Sequence, residues 1–99
     1  MLHTVNKSPF ETTTLMSCLA CAKAGSTVLL IEDGVYAALA GSTIAEQVKS
    51  AMESVTVMAL EADVKARGIS AKLLDGIKLV DYAGFVDLAV ENDKVQAWL

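Results

Sequence analysis

Thr27-Val28-Leu29-Leu30-Ile31-Glu32-Asp33-Gly34-Val35-Tyr36-Ala37-Ala38-Leu39 is the stretch on which the fold turns. From Thr27 to Ile31 it is apolar without alternation. A strand with one face in water alternates, so this run suits a strand covered on both faces. Val35 to Leu39 is Ala-rich and helix-prone. Asp-Gly between apolar runs is also a hairpin signal, but Tyr36-Ala37-Ala38-Leu39-Ala40 makes a poor second strand. The reading is therefore strand, tight turn, helix, with Asp33 as the helix N-cap. In α/β proteins, ligand and partner sites collect at such carboxyl ends of strands. Glu32 stands there, and a carboxylate at the end of a buried strand needs a partner or water.

On the N-terminal side, Met1 to Val5 is a short apolar strand. Ser8-Pro9-Phe10-Glu11 carries three helix-start signals: a capping Ser, a Pro suited to the first turn, and the Glu of a capping box. Leu15, Cys18, Leu19 and Ala22 follow at the spacing of a buried helical stripe, and Gly25 suits the C′ position. On the C-terminal side, Ser42 suits the cap of a helix through Ala45, Val48 and Met52. Val55 to Leu60 is a third apolar run, read as a buried strand. Ala62 to Gly68 reads as a short helix ending at its glycine, and Ser70 to Leu74 as a helical turn. Gly76 to Asp81 is a fourth strand. Tyr82 to Glu91 is a helix with Phe85, Leu88 and Ala89 on one face, and Trp98-Leu99 forms a tail. Strands separated by helices predict an α/β fold in a single domain, residues 1–99: a parallel sheet of about four strands with helices on both faces.

Composition bounds the function. The chain has 99 residues, of which 54% are apolar, and its mean hydropathy is +0.46. A chain of this size buries only roughly 60–70% of its unfolded surface. The apolar excess belongs in a membrane or an interface. The longest uncharged stretch, Gly34 to Ala45, contains Gly, Ser and Thr, whereas a spanning helix needs about 20 mostly apolar residues. Met1-Leu2-His3-Thr4-Val5-Asn6-Lys7 lacks the basic region and apolar core of a signal peptide. The expectation is an intracellular subunit, self-associating or bound to partners, held in a permanent interface. Val35, Tyr36, Trp98 and Leu99 are its candidate contributors. A net charge of -4 and a pI near 4.7 argue against direct nucleic-acid binding.

Few residues can carry chemistry. Cys18-Leu19-Ala20-Cys21 is a C-x-x-C, but it falls near the end of its helix, where the dipole disfavours a thiolate. Zinc would need two further good ligands, and His3 is the only histidine. No metal or cofactor is expected, and His3 reads as packed or hydrogen-bonded. Cys18 admits two readings. It is a buried core cysteine, or it is a partly covered thiol that carries sulfur as a persulfide, with Lys7 and Lys23 as sources of positive charge. Cys21 lies farther round the helix from the apolar stripe. Asp63, Arg67 and Asp81 read as a cap and surface charges.

The order of short motifs adds to this. The chain opens with Met1-Leu2-His3-Thr4 and Ser8-Pro9-Phe10. It continues through Leu29-Leu30-Ile31-Glu32-Asp33-Gly34-Val35 and Lys65-Ala66-Arg67-Gly68. It closes with Val80-Asp81-Tyr82, Phe85-Val86-Asp87-Leu88 and Gln96-Ala97-Trp98-Leu99. In this order and spacing it resembles the DsrH/TusB family over essentially its whole length. The resemblance implies a DsrE/DsrF/DsrH-like fold. It also implies a cytoplasmic heterohexamer with homologous DsrE/TusD-like and DsrF/TusC-like subunits. Such complexes relay sulfane sulfur as cysteine persulfide to a DsrC/TusE-like acceptor. In one branch the relay serves dissimilatory sulfur oxidation, and in the other it serves 2-thiolation of a tRNA wobble uridine. DsrH-type members have a cysteine in the first helix, where Cys18 stands, and this favours the first branch. The principal persulfide cysteine of such complexes belongs to the DsrE/TusD-like partner. Cys18 is then a candidate carrier of secondary rank. A subunit with an inert Cys18 and a purely structural role is the alternative.

Overall fold

Val28, Leu29 and Leu30 are fully buried, as a strand covered on both faces requires. In the computed structural model, which describes residues 1–99, they lie in the central strand of a five-stranded sheet. The strands are β1 (Leu2–Val5), β2 (Thr27–Leu30), β3 (Thr56–Leu60), β4 (Lys78–Val80) and β5 (Val95–Trp98). Their order across the sheet is β4-β3-β2-β1-β5, and every neighbouring pair is parallel. The α-helices are α1 (Thr14–Cys21), α2 (Ala45–Ala51), α3 (Glu61–Ala66) and α4 (Tyr82–Glu91). Short 3₁₀ segments occupy Glu32–Ala38 and Ser70–Lys72.

Topology assigns the layers. From β1 through β4 the chain steps in one direction, so right-handed crossovers put α1, α2 and α3 on one face. From β4 it returns across the whole sheet to β5, which puts α4 on the other. Side-chain parity agrees. Val5, Val28, Leu30, Val57 and Ala59 share one face and pack with Leu15 and Cys18 of α1, Val48 of α2 and Val64 of α3. Leu2 and Leu29 are equally buried but point to the opposite face.

Several elements differ from the sequence reading. The tail is a fifth strand, paired with β1 from Leu2↔Val95 to Val5↔Trp98. Ser8 starts a turn rather than a helix: its Oγ accepts from Phe10 N–H at 3.2 Å, its carbonyl from Glu11 and Thr12, and α1 begins only at Thr14. Three consecutive threonines, Thr12 to Thr14, resist helical geometry and delay the start. The helix ends at Cys21, four residues before Gly25, which sits at φ +87° in the following turn. Asp33 does not cap a helix; Glu32–Ala38 has no side-chain cap, and Ile31 precedes it in extended conformation. Asp81 does cap α4, accepting from Gly84 N–H at 2.7 Å. No helix is long and apolar enough to cross a membrane.

Candidate functional site

At the carboxyl ends of β2 and β3, two distant motifs meet. Asp33 Oδ1 accepts from Arg67 Nε at 3.0 Å and Nη2 at 2.9 Å. Asp63 Oδ2 accepts from the backbone N–H of Glu32 at 2.7 Å, while Arg67 Nη1 donates to the Asp63 carbonyl at 3.3 Å. Arg67 and Asp63 are therefore not free surface charges: they tie α3 and its C-cap to the turn after β2. Glu32 takes a left-handed backbone, φ +50°, which is uncommon for a non-glycine residue. That twist aims its N–H at Asp63 and leaves its carboxylate in water. Water, and not a buried partner, solvates the strand-end carboxylate. Gly34 is fixed by close approach, since a Cβ there would stand 2.1 Å from the Val5 carbonyl oxygen. With both carboxylates engaged by one guanidinium and a backbone N–H, and no nucleophile beside them, this end of the sheet is a structural tie.

Cys18 lies on the inner face of α1 with no exposed surface, inside the main core cluster. Burial, and after it the neighbouring Cys21, pushes its thiol pKa from 9.0 up to about 11. In this closed arrangement Cys18 is packed as an apolar group of the core. Cys21, one turn on, is exposed.

His3 is 4% exposed in β1. Its Nδ1 accepts a hydrogen bond from Trp98 Nε1 at 3.1 Å, with the ring centroids 6.2 Å apart. Burial, and then the charge of the amino terminus, lowers its pKa below 6.5. An acceptor Nδ1 on a neutral ring places the proton on Nε2. That atom is buried without a partner.

Of the residues proposed for an interface, Val35 is fully buried in this chain's own core. Tyr36 and Trp98 are half-buried against the core cluster, and Leu99 is 82% exposed. The sequence reading passed over a more exposed row. Tyr82, Val86 and Val90 lie at i, i+4, i+8 on the outer side of α4 and are 61%, 60% and 79% exposed. Phe85 and Leu88 turn the other way and are half-buried, while Ala89 is exposed. A helix apolar on both sides is ordinarily covered on both sides. The i+4 spacing of Tyr82, Val86 and Val90 was the available signal. No three His, Cys, Asp or Glu side chains stand close enough together to hold a metal ion.

Comparison with known proteins adds identity to this geometry. A family model described as DsrH like protein matches residues 7–95. Protein TusB of Erwinia tasmaniensis is 40% identical over 98 residues, covering 99% of this chain and 100% of that protein. Protein TusB of Escherichia coli K12 is 37% identical over the same span. Among solved structures, the ychN protein from E. coli superposes with a TM-score of 0.79 at 21% identity, covering 97% of each chain, which shows the fold.

Proposed function

The chain belongs to the DsrH/TusB family, and from that premise we propose that it is a non-autonomous subunit of a cytoplasmic sulfur-relay complex. The family match over residues 7–95 carries the reading. The exposed row Tyr82, Val86 and Val90 supports the need for partners, which on this reading are DsrE/TusD-like and DsrF/TusC-like subunits in a heterohexamer. The complex hands persulfide sulfur to a DsrC/TusE-like acceptor. Each step is an exchange in which a thiolate takes the terminal sulfur of a persulfide and a thiolate leaves. Cys18, the family-position candidate, takes sulfur only if α1 lifts from the sheet. In the closed fold it packs the core, and the principal relay cysteine belongs to a partner.

Dissimilatory sulfur oxidation is the pathway we propose, on the presence of a cysteine in the first helix. A second reading, tRNA wobble-uridine thiolation, is favoured by the relatives' common name, Protein TusB. Two measurements on a deletion strain separate them: oxidation of stored or supplied reduced sulfur, and the 2-thiouridine content of digested tRNA. Lost sulfur oxidation with normal tRNA thiolation supports the first, and the reverse result supports the second. Assembly is tested by co-expression with the neighbouring reading frames and sedimentation. Val90→Glu should release the chain from the complex, and a chain that sediments alone in every preparation would refute the subunit reading.

A further inference from the structure

A cleft of about 380 Å³ opens at the amino ends of β1 and β5, on the side of the sheet away from the Asp33–Arg67 tie. It is lined by Met1, His3, Cys21, Lys23, Ser26 and Lys94. Its composition is unlike the rest of this acidic chain, whose net charge is -4. Two lysines line it, and no carboxylate does. Glu91 and Asp93 line the adjoining cleft, which shares Met1 and Lys94, so Lys23 is the cation that belongs to this cleft alone.

A second observation points to a ligand. His3 is 4% exposed and its Nε2 has no partner. Trp98 occupies Nδ1, so the proton sits on the unpartnered Nε2, and the His3 side chain is part of the cleft lining. A buried donor left without an acceptor is costly. An acceptor bound in the cleft removes that cost, and the two ammonium groups favour an anionic one. The carbonyl end of α1 opposes negative charge here, and Lys23 stands just beyond it to offset that. Cys21 supplies the only thiol in the lining, and unlike Cys18 it is exposed.

We infer that this cleft is an anion site serving Cys21, and that it takes a small sulfur oxyanion bearing a sulfane sulfur, the thiosulfate class. The oxygen end is held by His3 Nε2–H, Lys23 and Lys94, and the sulfane sulfur faces Cys21. The thiol proton goes to solvent. The Cys21 thiolate attacks the sulfane sulfur and an S–S bond to it forms. The bond from that sulfur to the oxidised sulfur breaks, and sulfite leaves with the electron pair. Cys21 rises to the persulfide level and the departing sulfur is reduced by two electrons, so no other reactant is needed. Sulfur thus enters this chain through Cys21 and not through Cys18. The sulfur-transfer half of this inference rests on the relay reading, while the anion site rests on the cleft alone.

The test uses the full chain with any co-purifying subunits retained. Titration with sulfate, an unreactive mimic, and then with thiosulfate should shift the His3 imidazole resonances saturably. Lys23→Gln should raise the half-saturating concentration of both at least about tenfold, as the loss of one charge-assisted contact of about 1.4 kcal/mol predicts. Thiosulfate should add about 32 Da, and fragment spectra should place it on Cys21. One equivalent of sulfite should be released per adduct. Cys21→Ser should abolish the adduct and keep the sulfate shift. His3→Gln, which keeps a side-chain N–H donor but removes the imidazole reporter, is read by mass and should still take the thiosulfate adduct on Cys21, which guards against a folding defect. A silent His3 resonance at tens of millimolar anion, an adduct on Cys18, or an adduct insensitive to Lys23→Gln would overturn the inference. A loaded Cys21 in a chain that finds no relay partners would leave the cleft standing and remove the relay reading. Normal assembly with a silent cleft would do the reverse.

Discussion

Gly34→Ala should be among the most damaging single-methyl changes in the chain. The added Cβ would lie 2.1 Å from the Val5 carbonyl oxygen, 2.9 Å from its carbon and 3.4 Å from the Asn6 Cα. Real Cβ atoms essentially never approach within 3.0 Å, so something must move by about 0.9 Å. No flexible side chain can yield, because all three obstacles are backbone. Both sides are also tied: Ile31 N–H donates to the Val5 carbonyl at 3.0 Å, and Gly34 N–H donates to the Ile31 carbonyl at 2.9 Å. Overpacking against rigid surroundings costs about 1–3 kcal/mol, and a backbone clash of this depth belongs at about 3. For a domain of this size that is a fall in Tm of roughly 12–24 °C. Gly68→Ala is the control. Gly68 sits at φ +66° with nothing within 4 Å of its Cβ position, so only backbone strain applies, about 1 kcal/mol. Both variants are compared by urea midpoint, in the same assembly state and with m unchanged. If Gly34→Ala is no worse than Gly68→Ala, the close approach of the turn to β1 is wrong.

Cys18→Ser should destabilise by about 1–3 kcal/mol, since it buries a hydroxyl in an apolar cluster, and thiol labelling of the native wild type should find Cys21 far faster than Cys18. The raised Cys18 pKa means that the unfolded chain releases that proton first, so its contribution to stability is full below pH 9 and declines toward pH 11; urea midpoints across that window check it. His3 runs the other way: its folded pKa is lowered, so the unfolded chain binds the proton first and stability falls as pH drops below 6.5, a slope that His3→Gln should remove. Trp98→Phe should cost about 1 kcal/mol by leaving His3 Nδ1 without its donor, read as faster amide exchange along β5. Arg67→Met should also cost about 1 kcal/mol, because Asp33 is half-exposed and solvent screens the pair, whereas Lys65→Ala, which breaks a surface pair, should stay within about 0.5 in the same denaturation assay.

The parallel sheet was legible because β2 is buried on both faces and β3, with only Thr56 and Met58 half-buried, nearly so, and both runs are apolar without alternation in sequence. β5 was not legible. Val95-Gln96-Ala97-Trp98 is an edge strand, its first three residues are exposed, and neither its composition nor its burial demands a strand. It exists because β1 offers a free edge and Trp98 reaches His3 across it. The start of α1 misled for a different reason. Ser8, Pro9 and Glu11 are sound cap signals, and they do form a turn, but the threonines behind them are poor at propagating it. The Asp33–Arg67–Asp63 tie could not be inferred from spacing. Its partners are separated by 31 and 34 positions and meet only because β2 and β3 are adjacent strands. Periodicity reports which way one element faces, and it carries no information on which loop lies beside which.

That distinction decides how the two cysteines were read. Three helical positions rotate a side chain by about 300°, which returns it to within about 60° of where it began. From the wheel alone, Cys18 stands beside the Leu15–Leu19–Ala22 stripe and Cys21 about 60° farther round from it. The rise along the axis adds to that difference. Cys18 stands over the middle of the sheet, where Val5, Val28 and Leu30 close around it. Cys21 is the last residue of α1 and clears the edge, where β1 begins and His3 and the two lysines come together. The same thiol is thus driven up to about 11 at one position and left beside cations at the other. A family position selects the first thiol and local chemistry selects the second. Sulfur reaching Cys18 requires α1 to open the core, whereas sulfur reaching Cys21 requires only that an anion find the cleft.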